Sequence, residues 1–163
     1  MVVESGSKWR LNPKKEVDRL SSGMLMGTYT HNMDVKGRMN FSTKLREILG
    51  DMFIITKGLD GCLFVYSTEG FEELADKIRQ VPLSKGRELQ RFFMAGACEV
   101  EADKQGRILI PQTLRDYAGL EKDIIVIGAS TRAEIWDKAK WDKFNEDFTS
   151  NKLEEAMEGS FFH

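Results

Sequence analysis

Two short segments of this chain carry nearly the same set of chemically active residues. Asp34-Val35-Lys36-Gly37-Arg38 returns 69 positions later as Asp103-Lys104-Gln105-Gly106-Arg107. An arginine guanidinium can donate two parallel hydrogen bonds to the O6 and N7 of guanine, and a lysine ammonium can meet a phosphate. Lys36, Arg38, Lys104 and Arg107 are therefore candidate DNA-contacting residues. Asp34, Gly37, Asp103 and Gly106 read instead as turn residues, because an aspartate side chain accepts backbone N–H bonds and glycine takes positive φ without a Cβ penalty. The competing reading of each arginine is that it merely braces its own turn against the aspartate.

Other chemistries find little support. His31 and His163 are the only histidines, and Cys62 and Cys98 lie far apart without CxxC spacing, so no metal, cofactor or disulfide framework is expected. No glycine-rich phosphate loop followed by lysine occurs, and no convergent catalytic set is visible, so the chain is not expected to be an enzyme. His31 reads as a structural strand residue, and both cysteines as small apolar ones. Arg46 and Arg115 divide evenly between a salt bridge and a phosphate contact. Trp136, Trp141, Phe144 and Phe148 have the spacing of a core or subunit interface, which outweighs a base-stacking platform.

A chain of 163 residues, 41% hydrophobic and 31% charged, can bury a real core. No run approaches the roughly 18 apolar residues of a membrane span, and no signal peptide is visible, so a soluble protein of the cytoplasm is expected, without membrane association. A net charge of −2 and a pI near 5.8 argue against a generally basic surface. Any DNA-binding face must then be local. Between residues 24 and 50, Lys36, Arg38, Lys44 and Arg46 outweigh Asp34 and Glu47, a local net charge of +2.

The elements that carry these residues also come in two copies. At the offset of 69, Gly27 matches Gly96, Leu45-Arg46 matches Leu114-Arg115, and Gly50 matches Gly119. At an offset of 70, Ile54-Ile55 pairs with Ile124-Ile125, Gly58 with Gly128, Tyr66 with Trp136 and Phe71 with Trp141. Duplication explains this better than chance. Each copy opens on an alternating strand, Thr28 to Met33 or Ala97 to Ala102, and the Asp-x-x-Gly-Arg turn implies a hairpin. On the return strands Met39 and Phe41, or Ile108 and Ile110, face inward, with Arg38 and Arg107 on the other side. A short helix follows, started by Ser42 or Pro111 and stopped by Gly50 or Gly119. Two strands come next, Phe53 to Thr56 with Cys62 to Tyr66, and Ile124 to Ile127 with Ala133 to Trp136. Each copy ends on an amphipathic helix, bearing Phe71, Leu74, Ala75 and Ile78, or Trp141, Phe144 and Phe148. A helix from Ser84 to Phe93 joins the halves.

These readings divide the chain into an extension at residues 1–23, a first module at 24–81, a linking helix at 82–93, a second module at 94–148 and an acidic tail at 149–163. The extension is expected either to precede the true start or to form an arm whose Lys8, Arg10, Lys14, Lys15 and Arg19 touch phosphate.

The paired motifs, the start Met24-Leu-Met-Gly27, the run Gly58-Leu-Asp-Gly-Cys-Leu-Phe-Val-Tyr66 and the run Asp103 to Arg115 resemble the MraZ family over about residues 24 to 150. The resemblance implies an α+β chain with a duplicated AbrB-like swapped-hairpin β-barrel and flanking helices. It further implies a ring-forming homo-oligomer that binds double-stranded DNA at short direct repeats upstream of its own operon, typically repressing the division and cell wall gene cluster. Two rivals remain: a scaffold acting through protein contacts alone, and an AbrB-type antitoxin or transition-state regulator, against which the tandem duplication stands.

Overall fold

The computed structural model describes residues 23–159. Residues 1–22, which hold nearly all of the expected extension and its basic arm, lie outside the described residues, as do 160–163. The order is β1 (Thr28–Asn32), β2 (Arg38–Asn40), α1 (Thr43–Leu49), β3 (Met52–Lys57), β4 (Leu63–Ser67), α2 (Thr68–Arg79), α3 (Leu83–Ala95), β5 (Cys98–Glu101), β6 (Arg107–Leu109), α4 (Gln112–Ala118), β7 (Asp123–Gly128), β8 (Ala133–Asp137), α5 (Lys138–Asp147) and α6 (Ser150–Glu158). No helix among the described residues is long and apolar enough to cross a membrane.

Six strands form one sheet in the order β1-β7-β8-β4-β3-β5, and β2 pairs with β6 in a separate two-stranded ribbon. Exchanging the two halves of the chain turns either order into itself. The duplication therefore folds as a pseudo-two-fold pair, with the axis between the central strands, where Phe64 stands opposite Glu134. The exchange of strands is reciprocal: β1 of the first half pairs with β7 of the second, and β5 of the second pairs with β3 of the first. This is an α+β fold with interlocked modules. The expected hairpin closes at its turn, but β1 and β2 then diverge, keeping only the bridge between Met33 and Met39. Each return strand finds its ladder partner in the opposite module, which joins the halves through backbone hydrogen bonds as well as side chains.

The sheet separates two cores. Successive residues of a strand point to opposite faces, so Leu63 and Val65 of β4 enter one cluster while Phe64 and Tyr66 enter the other. The first cluster joins the ribbon and the short helices to the sheet, with Met39 and Ile108 at 2% and 1% exposure and Leu45 and Leu114 buried in the same cluster. The second is aromatic and is roofed by Phe71 and Leu74 of α2, Phe92 and Phe93 of α3, and Trp141 and Phe144 of α5. A buried Thr56 hydroxyl donates to the Phe93 carbonyl at 2.6 Å, tying α3 to the sheet. α6 is exposed along almost its whole length.

Strand pairing corrects one detail of the repeat. Phe53 faces Ser67 and Ile55 faces Val65, while Ile124 faces Asp137 and Val126 faces Ile135. Since β4 and β8 correspond at an offset of 70, β3 and β7 correspond at 71. Ile54 thus matches Ile125, not Ile124, and Gly58 does not match Gly128. A shift of one residue in a strand exchanges its faces, and the fold keeps Phe53, Ile55, Ile124 and Val126 together in the first core.

Candidate nucleic-acid interface

The turns are built alike. Oδ1 of Asp34 accepts the backbone N–H of Lys36 and of Arg38, both at 2.9 Å, and Oδ1 of Asp103 accepts those of Gln105 and Arg107, also at 2.9 Å. The N–H of Gly37 donates to the Asp34 carbonyl at 3.0 Å, and that of Gly106 to the Asp103 carbonyl at 2.9 Å. Gly37 has φ +90° and Gly106 +79°, so each four-residue turn runs into its return strand through a left-handed glycine. The backbone N–H bonds, led by the one from Arg38 or Arg107, hold both carboxyls below the usual aspartate pKa.

Those carboxylates also aim the arginines. Oδ2 of Asp34 accepts Nε of Arg38 at 3.3 Å, and Oδ2 of Asp103 accepts Nε of Arg107 at 3.0 Å. Each guanidinium is gripped by its inner nitrogen, and its Nη atoms make no hydrogen bond or ion pair among the described residues. The side chains remain 39% and 36% exposed. The contact braces each turn and leaves the outer edge of each fork open.

Pairing of β2 with β6 brings the arginines onto one surface. Arg38 stands opposite Leu109, Met39 opposite Ile108, and Asn40 opposite Arg107. The turns, with exposed Lys36 and Lys104, lie at opposite ends of the ribbon, because the N–H of Phe41 donates to Gly106 and that of Ile110 to Gly37. All four expected DNA-contacting residues therefore belong to the ribbon or its two turns. From Gly37 to Phe41 the ribbon runs roughly 13 Å at about 3.3 Å per residue.

Arg46 and Arg115 form no salt bridge among the described residues, and their Nε atoms are turned to backbone carbonyls. Nε of Arg46 donates to the Phe41 carbonyl at 3.1 Å and Nε of Arg115 to the Ile110 carbonyl at 2.9 Å. Each guanidinium then lies against the glycine of the opposite turn: a Cβ on Gly37 would stand 2.6 Å from Nε of Arg115, and one on Gly106 2.9 Å from Nη2 of Arg46. The two arginines clamp the swapped turns together. Sequence spacing could not show this, since each acts on the other copy.

This clamp makes the glycines sensitive. Gly37→Val is expected to cost about 3 kcal/mol or more, combining positive-φ strain with a Cβ placed 2.7 Å from the Ile110 carbonyl. Gly106→Val is expected to cost less, because its nearest neighbour is the movable end of Arg46. Denaturant midpoints measure both. An unchanged midpoint for Gly37→Val would contradict the turn geometry.

The remaining candidates take structural places. His31 occupies the position that Val100 fills in the other half, with its ring stacked on Phe41 at 6.5 Å. Burial lowers its pKa, and its Nε2 has no partner among the described residues. Burial raises the pKa of both cysteine thiols. Trp136 packs against Trp141 and Phe144, both at 5.2 Å, on the sheet face away from the ribbon. Phe148 is 46% exposed beside Phe144. No group of residues able to hold a metal ion occurs among the described residues.

The repeated half-chain has a recognisable counterpart. The family model described as "MraZ protein, putative antitoxin-like" matches this chain twice, at residues 24–91 and 93–161. The chain belongs to the MraZ family. It is 53% identical over 138 residues to the "Transcriptional regulator MraZ" of Acetivibrio thermocellus, covering 82% of this chain and 96% of that protein. Relatives bearing the same name in Heliobacterium modesticaldum and Thermoanaerobacter sp. are each 52% identical, covering 76% and 83% of this chain and 87% and 95% of theirs. The MraZ duplication seen in the sequence is thus the same one that closes the pseudo-two-fold ribbon.

Proposed function

We propose that this MraZ-family chain is a sequence-specific DNA-binding transcriptional regulator that acts through the β2–β6 ribbon. Membership in a family whose relatives are named transcriptional regulators supports the regulatory role. The observation that carries the DNA-binding reading is the pair of guanidinium groups, each held by its own aspartate with its outer edge free, on one exposed two-stranded ribbon. A major groove admits such a ribbon. Lys36 and Lys104, in the turns of the two modules at residues 24–81 and 94–148, would meet phosphates on either side. In this reading the chain represses the division and cell wall gene cluster by binding short direct repeats upstream of its own operon, as a ring of identical subunits in the nucleoid. No step calls for a cofactor or catalysis.

Footprinting on the DNA upstream of the chain's own gene, followed by a salt titration, tests the reading. A protected stretch is expected, with log affinity falling linearly against log salt by about 0.9 for each phosphate neutralised. Absence of protection, or affinity indifferent to salt, would favour a scaffold acting through protein contacts.

A further inference from the structure

The outward face of the ribbon holds two residues besides the arginines. The inward positions are Met39 and Ile108, so alternation turns Arg38, Asn40, Arg107 and Leu109 outward together. At one level Arg38 lies opposite Leu109, and at the next Asn40 lies opposite Arg107. Adjacent strands are about 4.8 Å apart and alternate residues roughly 7 Å apart, so the four form a tile about two base steps long at 3.4 Å per step. The axis that relates Arg38 to Arg107 also relates Asn40 to Leu109. The arginine pair obeys the pseudo-symmetry. The second pair breaks it.

We infer that Asn40 and Leu109 are specificity-determining residues that give the two halves of one ribbon different base preferences: adenine beside Asn40 and thymine beside Leu109. This rests on the DNA-binding reading above. An asparagine amide can donate to N7 and accept from N6 of adenine, a bidentate match to its major-groove edge. Leucine offers no hydrogen bond, but its apolar surface can cover the thymine C5-methyl group. Leu109 is 54% exposed on a strand whose other face is fully buried, between arginines that would otherwise favour polar neighbours. Asn40 is exposed, and none of its side-chain atoms makes a hydrogen bond among the described residues. Both side chains are free to meet a base edge. One subunit would then read a non-palindromic element, and successive subunits in one orientation would read it as direct repeats.

The test is selection of bound sequences from a randomised double-stranded DNA library by the full chain and by its Asn40→Leu and Leu109→Asn variants. Non-specific affinity, assembly mass and thermal melting are measured in parallel. Asn40→Leu is expected to lose one adenine preference, and Leu109→Asn to replace one thymine preference with adenine. Discrimination at the affected position should change by roughly 5- to 150-fold, with non-specific affinity, mass and melting unchanged. A wild-type motif that survives intact in both variants would overturn this inference while leaving DNA binding in place. Loss of assembly in Leu109→Asn without a changed base preference would identify Leu109 as a subunit contact and also overturn it. Failure of the wild-type chain to select any motif would overturn the DNA-binding reading itself.

Discussion

Affinity for DNA is expected to rise steeply with the number of repeats it carries. Under the proposed ring reading, neighbouring subunits present the same ribbon at regular intervals, so the second and later contacts form intramolecularly. Effective concentrations from such linkage raise overall affinity by about 10²- to 10⁴-fold over a single contact. Each ribbon contact can then be weak, as suits a chain with a net charge of −2. DNAs bearing one, two, three or four copies of the protected element measure the gain. A second comparison moves two copies apart by half a helical turn, which rotates one of them to the far side of the duplex. The expected outcome is a large gain from one copy to two and its loss on the half-turn shift. Equal affinity for one and four copies, or indifference to phase, would contradict multivalent binding.

Much of the fold was legible because duplication and side-chain period act together. The alternation of Cys98, Val100 and Ala102 with Glu99 and Glu101 marked β5, and Gly50 and Gly119 marked the ends of α1 and α4. Pairing was less legible. Alternation says which face of β1 is apolar but not which strand it joins, since the ladder bonds are made by the backbone, which is the same for every residue. The sequence therefore suggested a local hairpin where β1 pairs with β7. The correspondence between β3 and β7 is displaced by one residue in the sequence because Ile54-Ile55 and Ile124-Ile125 look identical. The usable signal lay in Phe53-x-Ile55 against Ile124-x-Val126, the alternate residues that enter the first core.

The candidate site divides in the same way. Turn chemistry is local, so Asp34, Gly37, Asp103 and Gly106 are readable from their motifs, as is the bracing of each arginine by its aspartate; the structure adds that the contact is made through Nε. The clamp by Arg46 and Arg115 was hidden because it joins residues from opposite copies. Asn40 and Leu109 carry a sequence signal of their own: period 2 places each on the same face as its arginine. An exposed leucine at a polar-facing position was the one departure from the pattern of both return strands.

The central claim is that the Arg38–Arg107 face of the β2–β6 ribbon binds DNA. Arg38→Ala and Arg107→Ala each remove one outward fork and one exposed pairing with an aspartate, and an exposed, solvent-screened ion pair contributes little to stability. Folding is therefore expected to survive both substitutions. A good bidentate base contact discriminates by about 1–3 kcal/mol. Together, if additive, the two should cost about 2–6 kcal/mol, on the order of 30- to 10⁴-fold in affinity. The decisive measurement is the affinity of the double variant for DNA carrying a single copy of the footprinted element at fixed salt, so that one ribbon contact is read, beside its melting temperature and assembly mass. The account predicts a loss within that range with melting and mass unchanged. Wild-type affinity in a folded, correctly assembled double variant would contradict it.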